Sequence, residues 1–209
     1  MINDIEKEIN GITNWIKEYV QNTKSDGVVV GNSGGKDSAT VIALATKALG
    51  KENVLAVSMP CNSINKDLDD ANLVANTFGV KNLEVDLTTS YKEIENTVLD
   101  ELKNKDVSNE ISEEGKINAK PRLRMLTLYM IARTMNYRVI GTGNKCEIFV
   151  GYTTKWGDSA SDFNPIANYT VDEVLEIGKY LGVPDEIINK APNDGLRRKN
   201  RWTKNGCNI

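Results

Sequence analysis

Apolar residues recur at helical spacing over the first twenty positions, and the pattern then changes. The positions that share this spacing are Ile2, Ile5, Ile9, Ile12, Ile16 and Val20, and they predict an amphipathic helix. Beyond them, short unbroken apolar runs alternate with further segments of helical spacing. Strands are predicted at GVVVG (27–31), NVLAVSMP (53–60), NLEVDL (82–87) and YRVIGTGN (137–144). Helices are predicted at 38–49, 67–79, 90–105, 121–136, 171–182 and 184–190.

One stretch between the third and fourth strands breaks the pattern. Val107–Asn118 is polar, and we expect a mobile loop there. Pro121 opens the apolar string PRLRMLTLYMIARTMN, and proline suits the first turn of a helix. The pattern therefore predicts that this helix begins at Pro121.

The alternation of apolar strands with helices predicts an α/β protein. Unbroken apolar strands are typical of a mainly parallel sheet with helices on both faces, a three-layer Rossmann-like arrangement. In such sheets ligands bind at the carboxyl ends of the strands. This places Gly31–Ser38, Pro60–Ser63 and Gly141–Glu147 on the edge where we expect the functional site.

Composition narrows the class of protein. The chain has 209 residues, of which 40% are hydrophobic and 26% charged, with a net charge of −3 and no polybasic block. The acidic balance argues against nucleic acid as a partner. The apolar runs are too short to span a membrane, and the acidic N-terminus lacks the apolar core of a signal peptide, so we expect a cytoplasmic protein.

Cysteine and histidine usage limits the chemistry. Cys61, Cys146 and Cys207 have no paired spacing, so neither a disulfide framework nor a zinc site is expected. The sequence contains no histidine, which excludes a histidine-based triad and histidine metal ligands. Acid–base and metal-binding roles must fall to carboxylates, lysine, tyrosine or water.

A glycine-rich turn joins the first predicted strand to the next helix in VVVGNSGGKDSATVIAL (28–44). Its spacing fits neither the Walker A motif nor the Rossmann G-x-G-x-x-G fingerprint. Glycine N–H groups followed by a helix N-terminus can still cradle an anion. Asp37 would repel a bare phosphate, and a shared Mg²⁺ would remove that repulsion. The alternative is a glycine-rich turn with an ordinary helix cap.

The string SGGKDS (33–38) resembles the SGGxDS loop of the ATP pyrophosphatases, or PP-loop enzymes. Two further strings, 121–147 and GYTTKWGDSASDFNPI (151–166), closely resemble the ammonia-dependent NAD⁺ synthetases. That resemblance covers residues 1–196. It implies one adenine nucleotide α-hydrolase-like domain. The implied reaction is amidation of deamido-NAD⁺ with ATP, Mg²⁺ and free ammonia, through an acyl-adenylate.

The resemblance also implies roles for particular residues. ATP binding falls to Gly31, Asn32, Ser33, Gly34, Gly35, Lys36, Asp37, Ser38 and Thr142. Asp37 and Glu147 match the Mg²⁺ carboxylates. Arg122, Lys155 and Asp162 match residues that contact deamido-NAD⁺, and Asp162 is a candidate to orient or deprotonate ammonium. The catalytic set is then Asp37, Glu147 and Asp162. A homodimer through the Pro121–Met135 helix is implied.

The sequence departs from the family pattern at three places. Val171 stands where an ATP-contacting lysine is usual, and Asn193 where a serine or threonine is common.

The tail at 197–209 lacks the family pattern and is expected to be disordered. One codon choice for this tail, read one base out of frame, gives EKTDGQKMDVTY, which resembles the missing family string. We therefore expect a truncated or frameshifted C-terminus.

Two alternative functions remain open from the sequence. One is another PP-loop adenylating enzyme, although the chain has neither a basic surface block nor a C-x-x-C pair. The other is a truncated nucleotide-binding dimer with little or no catalysis. Val171, Asn193 and the unusual tail favour this second alternative.

Overall fold

A four-stranded parallel sheet forms the centre of the protein. The computed structural model describes residues 2–61 and 65–190. The strands are β1 (Gly27–Gly31), β2 (Val54–Ser58), β3 (Lys81–Glu84) and β4 (Tyr137–Val139), in the order β3-β2-β1-β4. All three pairings are parallel, with Val29 opposite Leu55 on one side and Val139 on the other. The predicted parallel α/β fold is confirmed.

Helices surround this sheet. They are α1 (Ile5–Asn22), α2 (Lys36–Leu49), α3 (Asn65–Phe78), α4 (Thr88–Asn104), α5 (Glu113–Met135), α6 (Lys145–Val150), α7 (Val171–Tyr180) and α8 (Asp185–Ile188). A single 3₁₀ turn, Lys51–Asn53, precedes β2. None of the helices in the described part of the chain is long and apolar enough to cross a membrane.

The two faces of the sheet have separate apolar cores. On one face Val28 and Val30 of β1 pack with α1, α2 and α7, and Ile16, Ile42 and Ile177 are fully buried there. On the other face Val29 and Val57 pack with residues of α4 and α5, including Tyr91 and Ala132. Burial on both faces explains why β1 and β2 are unbroken apolar runs.

The predicted start of α5 is wrong. The helix begins at Glu113, so Pro121 lies inside it, and the polar stretch that we expected to be a loop through Asn118 contributes its first turns. Ser112 caps this start by accepting a hydrogen bond from the Gly115 N–H at 3.1 Å, and two glutamates occupy the first turn. The apolar pattern is weak here because the early turns are polar.

Helix α5 is oriented so that its two ends lie at opposite edges of the sheet. Only Asn136, in the left-handed conformation, separates Met135 from β4. The end of α5 therefore lies at the amino edge of the sheet, and its N-terminal half extends toward the carboxyl edge. The segment 118–124 of α5 thus lies near the loops that follow β1 and β2.

Candidate nucleotide-binding site

The loop after β1 is held tightly against α3. Gly34 has φ +68°, and a Cβ placed there would lie 2.8 Å from the Asp67 carbonyl oxygen and 2.9 Å from the Ala71 nitrogen. Only glycine combines this conformation with so close an approach. The buried Asn32 donates to the Ala71 carbonyl at 2.8 Å and accepts from the Gly34 N–H at 3.2 Å. The loop is therefore a fixed structure rather than an ordinary flexible turn.

Helix α2 begins at the end of this loop without a capping side chain. Gly35 is its N-cap residue and makes no side-chain cap hydrogen bond. The Ser38 hydroxyl lies 3.0 Å from both the Ser33 hydroxyl and the Gly35 carbonyl, so it does not cap the first turn. Within the described residues, the first amides of α2 are therefore available to an anion.

An acidic pair faces this helix start. Asp37 lies in the first turn of α2, and Glu147 lies in the first turn of α6, after β4. Asn144, which is 1% exposed, connects them: its amide nitrogen donates to Asp37 Oδ1 at 3.2 Å, and its oxygen accepts from the Glu147 N–H at 3.1 Å. Glu147 in turn accepts from the Asn144 N–H at 3.0 Å. The structure thus brings together the two predicted metal ligands.

The electrostatics of this pair suit a cation. Burial and the nearby Asp37 raise the pKa of the Glu147 carboxyl to about 7. Lys36 lies 3.2 Å from Asp37 and offsets part of the negative charge. In the described residues no three acidic, cysteine or histidine side chains cluster as a metal site. Two carboxylates that share a site with substrate phosphates are nevertheless a usual arrangement for Mg²⁺, so the donor set fits this ion.

Thr142 lies on the same edge, in a segment held by its neighbours. Gly141 donates to the Phe163 carbonyl at 2.8 Å, and the Asn164 amide donates to the Gly143 carbonyl at 2.8 Å. Ile140 and Phe163 form a parallel bridge that extends the sheet beyond β4. The half-buried Thr142 is therefore fixed between the acidic pair and segment 161–164.

Asp162 has a structural hydrogen bond as well as an exposed position. Its Oδ2 accepts from the Val139 N–H at 2.7 Å, and its carbonyl accepts from the Tyr19 hydroxyl at 2.9 Å. The bond from the Val139 N–H fixes the Asp162 carboxylate beside the last residue of β4. No local pattern of residues indicates this second role.

Lys155 and Arg122 meet at a neighbouring loop. The exposed Arg122 donates to the Lys155 carbonyl at 3.2 Å. The hydroxyl of the buried Thr154 donates to Asn118 of α5 at 2.9 Å, and the Thr154 N–H donates to Asp158 Oδ1 at 2.7 Å. The loop that carries Lys155 is thus attached to the N-terminal half of α5 and lies beside the carboxyl edge.

Sequence reasoning missed one residue that organises this site. Asn144 was not singled out, although its three-residue spacing to Glu147 is the signal of a capping box. Two neighbouring arginines of α5 differ in their exposure. In the structure Arg122 is exposed, whereas Arg124 is partly buried and donates to the Met59 carbonyl at 3.0 Å.

A parallel sheet whose first strand leads through a fixed glycine loop into an uncapped helix, with a carboxylate pair opposite, defines an α/β nucleotide-binding protein. A family model described as NAD synthase matches residues 8–205. The chain belongs to the NAD synthase family. This confirms the family expected from the sequence strings and agrees with the Rossmann-like fold.

Individual relatives agree with this assignment. The chain is 44% identical over 193 residues to an NH(3)-dependent NAD(+) synthetase from Thermococcus sibiricus, covering 92% of this chain and 72% of that protein. An NMN synthetase structure from Francisella tularensis has a TM-score of 0.83 at 32% identity, covering 94% of this chain and 79% of that one. An NH3-dependent NAD synthetase from Campylobacter jejuni has a TM-score of 0.79 at 34% identity, covering 90% and 77%.

Proposed function

We propose that this chain catalyses the ATP-dependent amidation of deamido-NAD⁺ to NAD⁺ with free ammonia, a carbon–nitrogen ligase reaction. The observation that carries the proposal is the fixed loop Gly31–Ser38, whose Asp37 is connected to Glu147 of α6 through Asn144. This arrangement suits a nucleotide triphosphate with its cation. Membership of the NAD synthase family supports the choice of substrate.

In the first step the substrate carboxylate attacks the α-phosphorus of ATP, and pyrophosphate leaves. The loop amides and the start of α2 bind the phosphate oxygens, and Thr142 contacts the nucleotide from the β4 side. Asp37 and Glu147 would hold Mg²⁺, which supplies positive charge to the phosphates when bound. Asn144 contacts both carboxylates, since its side-chain amide donates to Asp37 and its backbone N–H donates to Glu147.

In the second step ammonia attacks the carbonyl carbon of the acyl-adenylate, and AMP leaves with the C–O electron pair. The attacking nitrogen loses a proton as the amide forms. Lys155 and Arg122 contact the dinucleotide in this proposal, and Asp162 orients ammonium or accepts its proton. The Asp162 carboxylate is held in place by the Val139 N–H, which donates to Oδ2, and by a side-chain hydrogen bond with Tyr129.

The proposal includes a homodimer through the Pro121–Met135 segment of α5. Leu126 and Met130 of this helix are 55% and 66% exposed and lie four residues apart on one face. Exposed apolar side chains at this spacing favour a helix–helix contact.

Met130→Glu should convert a dimer to monomers in sedimentation velocity experiments. Val107→Glu, at a site 69% exposed but outside α5, is the matched control.

The proposed location is the cytoplasm, where the small-molecule substrates ATP and ammonia are available. Val171 and Asn193 keep the alternative of a nucleotide-binding dimer with weak catalysis open. Val171 begins α7, whereas Asn193 and the tail at 197–209 lie outside the described residues.

The deciding experiment measures NAD⁺, AMP and pyrophosphate formed by the purified 209-residue chain with ATP, Mg²⁺, deamido-NAD⁺ and ammonium. Nicotinic acid mononucleotide is tested in parallel because one structural neighbour is an NMN synthetase. Glutamine in place of ammonium is the nitrogen control, and Glu147→Gln is the active-site control. NAD⁺ with equal AMP and pyrophosphate supports the proposal.

Two outcomes would contradict the proposed reaction. ATP binding without pyrophosphate release would identify a nucleotide-binding protein that does not turn over. AMP transfer to a different acceptor would indicate another adenylating enzyme.

A further inference from the structure

Arg124 lies at the carboxyl edge of the sheet without an ionic partner in the described parts of the chain. It belongs to the N-terminal half of α5, and its Nε–H donates to the carbonyl of Met59, the residue that follows β2. A guanidinium has five N–H donors, and this contact uses one of them. The remaining donors lie on the two terminal nitrogens, beyond the Met59 contact.

The charge of Arg124 is poorly balanced for its degree of burial. Burial lowers the pKa of the guanidinium, while Cys61, Asp158 and Asp67 act in the opposite direction. Neither carboxylate comes within ion-pair distance of Arg124 among the described residues. Asp67 instead lies 3.0 Å from Lys190. The chain outside 2–61 and 65–190 contains one acidic side chain, Asp194.

The elements around Arg124 are those of the proposed site. Asp67 belongs to α3, whose backbone contacts Gly34 of the loop Gly31–Ser38, the phosphate loop of the proposed function. Asp158 belongs to the loop that carries Lys155 and also raises the pKa of Glu147. Arg124 therefore lies between the phosphate loop and the Lys155 loop. A partly buried cation with spare donors at such a position is costly unless an anion joins it.

We infer that Arg124 is a substrate-binding residue whose terminal nitrogens pair with an oxyanion of a bound substrate. The oxyanion is a phosphate of ATP or the phosphate or carboxylate of the dinucleotide, which arginine can bind through two parallel hydrogen bonds. This inference rests on the proposed function for the identity of the two substrates. The Met59 contact fixes the side chain and leaves the two terminal nitrogens for the ligand.

The test compares Arg124→Gln with Arg138→Gln. Arg138 also donates to a backbone carbonyl, that of Thr23, but at the amino edge of the sheet. Binding of α,β-methylene-ATP with Mg²⁺ and binding of deamido-NAD⁺ are measured separately by calorimetry, and urea unfolding is measured for each variant. Arg124→Gln should weaken binding of at least one ligand by about 10- to 100-fold, the effect of losing a charged hydrogen bond. Arg138→Gln should leave both affinities unchanged.

The two ligands distinguish the sources of the oxyanion. A loss confined to the ATP analogue assigns Arg124 to the ATP phosphates, and a loss confined to deamido-NAD⁺ assigns it to the dinucleotide. Unchanged affinity for both ligands, with or without reduced stability, overturns the inference and leaves a structural role only. Because binding is measured without turnover, absent NAD⁺ synthesis by the wild-type chain would contradict the proposed function but not this inference.

A second measurement covers the case in which Arg124→Gln does not fold. The side-chain Nε–Hε signal of Arg124 in the wild-type protein is assigned by its disappearance in Arg124→Lys. A shift of this signal on titration with either ligand supports the inference, and its invariance at saturation overturns it.

Discussion

The close packing of the phosphate loop against α3 can be tested by adding a single methyl group at Gly34. Two costs arise in Gly34→Ala. A left-handed backbone at φ +68° costs alanine about 1–2 kcal/mol. The new Cβ also lies within 3 Å of Asp67 and Ala71 backbone atoms, which cannot move aside by side-chain rotation. Overpacking of this kind costs about 1–3 kcal/mol. Alanine also lowers the conformational entropy of the unfolded chain, which offsets about 0.4–1 kcal/mol of this loss of stability.

Gly151→Ala is the matched control because Gly151 has the same φ of +68° with no neighbouring atom within 4 Å of the added Cβ. This variant carries the backbone cost without the steric cost. We expect urea unfolding to show a loss of about 1 kcal/mol for Gly151→Ala and a further loss of about 1–3 kcal/mol for Gly34→Ala. Gly34→Ala should also weaken ATP binding, since the loop or α3 must shift to accommodate the methyl group. Equal losses of stability in the two variants would refute the argument that close approach to α3 requires glycine.

Three further predictions concern side chains. The Glu147 carboxyl has a pKa of about 7 in the folded protein, so its ionisation destabilises the metal-free wild type as pH rises from about 4.5 to above 7. The unfolding free energy of Glu147→Gln should therefore increase relative to the wild type over this range, by up to about 3 kcal/mol. A difference in unfolding free energy that is the same at pH 5 and pH 8 would contradict this. Tyr169 lies just before α7, and Tyr169→Phe removes the hydroxyl that donates to Glu8 of α1; this should cost about 1–2 kcal/mol in urea unfolding, with Tyr180→Phe as an exposed control. Lys190→Met removes the ion pairs with α3 and should cost about 1 kcal/mol in low salt and less in 1 M salt; a loss independent of salt would exclude the ionic explanation.

Much of the fold could be predicted because the strands are buried on both faces. The run GVVVG has no polar position, and its three valines are fully buried, with α2 on one side and α5 on the other. Strand β3 was harder to delimit. It lies at the edge of the sheet with mostly exposed side chains, and it ends at Glu84, three residues before the predicted end. The start of α5 was missed for a related reason, since its first turns are polar and rely on the Ser112 cap rather than on an apolar face.

The sequence by itself determined the order of strands and helices, the phosphate loop and the family, because each is a local pattern of residue type and spacing. Only the tertiary structure decided which residues meet. Asn144 bonds Asp37 across 107 positions of sequence, and Arg124 reaches Met59 across 65. No local pattern encodes such contacts, since they arise from how parallel strands bring their carboxyl ends to one edge. The same packing sets the charge environment of Glu147 and the close approach at Gly34, which the sequence marks only as an acid and a glycine.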